Sequence, residues 1–247
     1  MRTSLIAARS MSYCKAIVLL CFTAWAGCRP SPSADEHREI SRELEQAGMV
    51  DSALYHLTLA LAKEPAHAGI RIDRGVIRSE QGDQQGAIAD LSLVIEADSM
   101  NTLAWYHRSL AKSRMNDHLG AYADLQGALR AKVPGWGNGI KGSFAVLETV
   151  DNEWAGVERS RFDVHIDDIG FLLALNYLDL DSGQLAYQWL TRCIDNDVET
   201  ATCLFERGRL LLLNGQQADG CRDLERAALM RHTEALRAWN KNCTGKQ

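Results

Sequence analysis

The feature that most limits how this chain can fold is a recurrence of small and large apolar residues every 34 positions. Ala53, Ala87 and Ala121 share one register, Leu57, Leu91 and Leu125 a second, and Ala60, Val94 and Ala128 a third. A period of this length specifies a repeated helical hairpin, because one hairpin cannot bury its apolar face alone and does so by stacking on another. Within each unit the small residue lets two antiparallel helices approach. The leucine four positions on fills the groove one turn later, and the next small residue seats the following hairpin.

The period breaks after Val133-Pro134, where residues 135–142 are too rich in glycine to make a good helix. It then resumes in a shifted register, with Ala186 and Gly220, Leu190 and Leu224, and Cys193 and Ala227 again 34 apart. The stretch 136–166 is therefore either an insertion folded over the array or a degenerate repeat whose first helix has been replaced. The composition is ordinary for a globular chain, at 46% hydrophobic and 24% charged residues, and four prolines suit a mostly helical one. A formal charge of −5, without a basic stripe carrying interleaved aromatics, gives no reason to expect a nucleic-acid partner.

These registers resemble the tetratricopeptide repeat (TPR) family over most of the chain beyond the N-terminus. Repeat 1 supplies Ala53, Leu57, Ala60 and Pro65, with His37 where the family has a first-helix aromatic. Repeat 2 supplies Gly75, Gly82, Ala87, Leu91 and Val94, and repeat 3 supplies Trp105, Ser109, Ala121, Leu125 and Ala128. Repeat 5 supplies Gly208, Gly215, Gly220, Leu224 and Ala227. The resemblance implies an all-α, TPR-type solenoid of about five helical hairpins with a C-terminal cap helix. The expected order is TPR repeats 1–3 over 36–135, the segment 136–166, then repeats 4–5 and the cap over 167–247. Helices are expected over 36–47, 51–63 and 169–180, with the cap over 234–243.

Residues 1–28 read as an export signal. Arg2, Arg9 and Lys15 make the positive end, and the apolar run from Ala16 to Gly27 is too short for a typical membrane span. The run ends in Ala26-Gly27-Cys28, which resembles a bacterial lipobox, with Trp25 where that family usually has leucine. That resemblance implies lipidation (palmitate among the acyl groups) at Cys28 and a membrane anchor. The alternatives are plain secretion or an uncleaved anchor, and translation starts at Met1 or Met11. Arg29, in place of the aspartate tied to inner-membrane retention, implies outer-membrane delivery where two membranes exist. Residues 29–35 read as a polar tether.

Four cysteines lie beyond the signal, an even count that allows disulfides in an exported chain: Cys193 with Cys203, and Cys221 with Cys243. The alternative is free cysteine packed as a small core residue. The seven histidines show no zinc-protease spacing, and there is no Cys-x-x-Cys pair, nucleophile elbow or phosphate loop. No metal, cofactor or catalytic role is expected on these grounds. The cluster Asp163, His165, Asp167 and Asp168 is read as a helix cap rather than a metal site.

In the TPR family, first-helix side chains at the fifth, ninth and twelfth repeat positions line a concave groove. Carried over, these are Ile72, Val76 and Ser79; Tyr106, Leu110 and Ser113; Phe171, Leu175 and Leu178; and Phe205, Arg209 and Leu212. Such a groove is mostly apolar, lacks the Lys and Asn of the chaperone-type carboxylate clamp, and fits a peptide or helix with apolar anchors. The expected function is a non-enzymatic protein–protein interaction scaffold, an envelope TPR lipoprotein holding a partner segment in that groove. The rivals are an enzyme or enzyme accessory with its site in 136–166, and a purely structural lipoprotein.

Overall fold

The computed structural model describes residues 31–133 and 164–244. The export signal, Cys28, most of 136–166 and Asp163 lie outside these residues. Among the described residues are eleven α-helices and no strand, none of them long and apolar enough to cross a membrane. The chain divides into two compact units, Met1–Pro65 and Ala66–Gln247.

In the first unit, α1 (Ala34–Gln46) and α2 (Val50–Lys63) form one hairpin. α1 begins two residues before the sequence suggests, because Ser33 and Glu36 close a reciprocal capping box around its first turn. Ala53, Leu57, Ala60 and Leu61 are buried on α2, as the period requires. His37 is buried, with its Nδ1 2.9 Å from Nδ1 of His56. Burial and the neighbouring His56 and Lys63 push the His37 ring below its ordinary value.

Among the described residues, the second unit holds four hairpins and a cap: α3 (Ala68–Glu80) with α4 (Gln84–Ala97), and α5 (Thr102–Arg114) with α6 (His118–Lys132). After the gap come α7 (Ile166–Asp179) with α8 (Gly183–Asp195), α9 (Thr200–Leu213) with α10 (Gln217–Leu229), and α11 (Thr233–Asn242). Stacking passes from α4 to α5, α8 to α9 and α10 to α11. α6 packs directly on α7. The main core runs through Leu125, Leu129, Ile169, Leu173, Leu190, Leu204 and Leu224. The residue that turns each first helix into its second has positive φ at Gly82, Asn116, Asp181 and Gly215. Glycine adopts that conformation without a Cβ clash, whereas Asn116 and Asp181 carry some strain there.

Three of these hairpins are tied by an internal ion pair sixteen residues apart. Arg74 donates from Nε and Nη2 to Asp90 at 2.9 and 2.7 Å, and Arg108 likewise to Asp124 at 2.8 and 2.7 Å. Arg207 does the same to Asp223 at 2.7 and 3.0 Å. The forked geometry satisfies both carboxylate oxygens of a buried acid, which burial otherwise penalises. Two of the arginines also reach the preceding hairpin, Arg108 donating to Ser92 Oγ at 2.9 Å and Arg207 to Thr191 Oγ1 at 3.0 Å. The same residues thus close a hairpin and fix its register on its neighbour.

The α7–α8 hairpin is built otherwise. Leu173 and Trp189 occupy the registers of the arginine and aspartate, and the Trp189 ring lies against Gly170. A Cβ on Gly170 would come within 2.6 Å of that ring, so this glycine is there for the close approach. In the α5–α6 hairpin the partners are exchanged, with Trp105 on α5 seated on Gly127 of α6.

Candidate functional site

Of the residues the resemblance assigned to a groove, several pack into the helix contacts. Ile72 and Phe205 are buried at 5% and 8% exposure, and Phe205 stacks on His232 with ring centroids 4.7 Å apart. Val76 packs against the core of α3–α5, and Tyr106 and Phe171 pack against the main core. Burial, with Asp168 and Glu199 nearby, raises the Tyr106 hydroxyl above its ordinary value. Leu110 is half-buried.

What remains open lies between α7 and α9. A cleft of about 440 Å³ brings together Leu175, Leu178 and Arg209, three of the expected groove residues, with Leu210, Leu213 and Glu206. Leu175 and Arg209 meet because they are 34 residues apart on neighbouring first helices. Leu213 is 82% exposed at the edge of this cleft. Arg209 pairs with Glu206 at 2.8 Å and lies 5.4 Å over the Phe205 ring. Burial pushes the Glu206 carboxyl up from its ordinary 4.5, Glu234 adds to this, and Arg209 and His232 offset part of it. Asp179 and Asp181 stand at the rim, Asp179 with its carboxylate 3.0 Å from His118 Nδ1. A second cleft of about 890 Å³ shares Asp181, Gly183, Leu210 and Leu213 with the first and runs on to Tyr187, Arg207 and Arg222.

The acidic cluster at the start of α7 is a cap. His165 precedes the helix, and its backbone N–H donates to Asp168 Oδ2 at 3.1 Å. Its Nδ1 lies 3.1 Å from Asp167 Oδ2 and 3.3 Å from the Asp167 backbone nitrogen. This cap starts α7 three residues earlier than the sequence suggests. Asp167 is buried and takes hydrogen bonds from Arg192 at 2.9 Å and Asn196 at 3.2 Å. Burial opposes its charge, but the bonds from His165, Arg192 and Asn196 outweigh burial and hold its carboxyl below the usual range. Among the described residues, no group of three or more histidine, cysteine or acidic side chains is placed to hold a metal ion.

Cys221 and Cys243 form a disulfide that ties α11 to α10. Cys193 and Cys203 do not: both are free and buried. Their thiols turn to nearby carbonyls, Cys193 to Asp167 O at 3.8 Å and Cys203 to Val198 O at 3.5 Å. The two thiols also interact with one another, which together with burial raises the Cys193 thiol above its ordinary value, so the spacing brings them together without a bond.

No family model and no curated protein matches the sequence. Solved structures do match in fold. MamA from Desulfovibrio magneticus RS-1, residues 41 to its end, superposes with a TM-score of 0.62 at 14% identity, covering 81% of this chain and 96% of that one. PilF of Pseudomonas aeruginosa gives 0.60 at 14% identity, covering 79% of this chain and 75% of that one. Another MamA structure gives 0.59 at 16% identity, covering 79% and 96%. The fold is the TPR-type solenoid. Identities this low carry the fold alone, so the TPR fold is common ground with these proteins and their ligands are not.

Proposed function

We propose that this TPR chain is a non-enzymatic protein-interaction scaffold that holds a partner segment in the cleft between α7 and α9. The observation that carries the reading is the meeting of Leu175, Leu178 and Leu213 around a cleft of about 440 Å³ with a Glu206–Arg209 pair inside it. Apolar walls with a few placed charges suit a side chain or short peptide, and the volume lies in the ~300–1,000 Å³ range of ligand sites. In the same reading, Cys28 carries a lipid that keeps the scaffold at a membrane surface of the cell envelope, the short apolar run before it serving as the export signal.

The test is a crosslinked co-isolation from membranes, comparing the native chain with a Leu213→Asp, Arg209→Glu variant. Both side chains are exposed, so the variant keeps its helices, and circular dichroism checks that it does. The reading requires a protein recovered with the native chain and lost with the variant. Equal recovery contradicts it. Cys28→Ser, with the chain then found in the soluble fraction, tests the anchor separately.

A further inference from the structure

Resting on that reading of the cleft, we propose that its occupant is a peptide segment presenting a lysine or arginine beside an aliphatic residue, with Glu206 receiving the cation. The charge balance of the two adjoining clefts singles out the smaller one. Its walls carry Asp179, Asp181 and Glu206 against a single cation, Arg209. The larger cleft is closer to neutral, since Arg207 is held by Asp223 and Arg222 by Asp219. The site is therefore a leucine-walled slot with an excess of negative charge, which matches a cationic side chain and repels an acidic tail.

The geometry suits the two parts of such a side chain separately. Leu175, Leu178, Leu210 and Leu213 offer an apolar path for the methylene stem of a lysine or arginine, as these side chains prefer when their heads reach a charge. At the end of the path, Glu206 keeps only 18% of its side-chain surface exposed while its partner Arg209 keeps 54%. A carboxylate that has lost most of its water gains more from a second cation than an exposed one does. Arg209, more than half exposed, holds Glu206 by a contact from Nη1 to Oε2 at 2.8 Å. The rim acids Asp179 and Asp181 keep the slot negative even with Arg209 counted. His118, facing Asp179, adds positive charge only when protonated.

The experiment is a random 12-residue peptide display library selected against the full chain, against Glu206→Gln and against Leu213→Asp, with circular dichroism confirming that each is folded. The expected result is enrichment, on the native chain, of peptides carrying Lys or Arg next to an aliphatic residue. A synthetic peptide of that sequence should lose about tenfold or more in affinity when its cation is changed to Gln, and similarly on Glu206→Gln, in line with a charged hydrogen bond. If selection depends on Leu213 but the peptides lack a cation, or bind Glu206→Gln unchanged, the cation proposal is overturned and the cleft reading stands. If selection is indifferent to both substitutions, the cleft reading itself is overturned.

Discussion

The α5–α6 and α7–α8 hairpins share one backbone plan and hold it together in opposite ways. In α5–α6 a buried arginine–aspartate pair joins the helices, Lys112 adds a second contact to Asp124 at 2.9 Å, and a tryptophan on the first helix sits on a glycine of the second. In α7–α8 the same registers hold leucine and tryptophan, and the glycine has moved to the first helix to receive the ring. The α7–α8 hairpin has a buried ion pair as well, but at its end rather than its middle: Asp167, in the first turn of α7, pairs with Arg192 of α8 at 2.9 Å. Paired charge is directional, so it fixes register between hairpins through Ser92 and Thr191. Apolar contact is less directional, and α7 packs on α6 on one side and faces α9 across the cleft on the other. The open site is walled by α7, from the hairpin that lacks the central arginine–aspartate pair, and by α9, from one that has it.

The comparison breaks most severely at Asp124. Replacing it with Ala strands Arg108 and Lys112 in a buried place, and urea unfolding should show a loss of about 3–5 kcal/mol. Leu173→Ala, in the α7–α8 hairpin, should cost about 2–5 kcal/mol, from cavity formation rather than stranded charge. Only the Asp124 loss should be partly restored by also removing Arg108.

A second difference is in pH response. His107 of α5 is pushed down to about 4, by burial first and by Arg114 next. Its ring is neutral when folded and protonates in the unfolded chain at about 6.5, so stability is lost as pH falls from 6.5 towards 4, on the order of 3 kcal/mol. His107→Gln should flatten thermal stability across that interval. Asp167 responds at more acid pH. Its depressed pKa gives stability that is present above its ordinary 3.8 and lost as pH falls further, so Asp167→Asn should change the profile only there.

The third prediction moves one solution into the other hairpin. Leu173→Arg with Trp189→Asp recreates the ion pair but leaves Gly170 facing the space the ring filled, and should destabilise the chain strongly. Adding Gly170→Leu copies the α9–α10 hairpin, where Leu204, Arg207 and Asp223 hold these registers, and should recover most of the loss. Thermal unfolding of the two variants decides it. Gly170→Ala alone forces the Trp189 ring aside and should cost about 1–3 kcal/mol. The smallest effect is at the turns, where Asn116→Gly relieves a positive φ and should raise stability by less than about 1 kcal/mol.

Much of this architecture was legible because hairpin stacking depends on apolar residues at fixed intervals, and Ala87, Leu91, Ala121 and Leu125 are all buried where the period puts them. The ion pairs left an equally clear trace that an apolar reading passes over. Arg74 and Arg108 are 34 apart, as are Asp90 and Asp124, and each pair is separated by 16. The site was legible in part. Leu175 and Arg209 follow from the period, whereas Glu206 lies outside the groove registers and enters the cleft through its pairing with Arg209. Tyr106 and Phe171 are half-buried against the main core, and sequence alone does not say which neighbour a half-buried ring packs against.

The measurement that tests the central claim most directly is site-specific photocrosslinking in cells, with p-benzoylphenylalanine at position 213 or, as control, at position 119. Leu213 and Leu119 are both highly exposed, at 82% and 70%, but only Leu213 borders the cleft. The account predicts a discrete crosslinked protein from position 213 that is absent from 119 and diminished by Glu206→Gln. Adducts from 119 alone, or the same adducts from both positions, would contradict it.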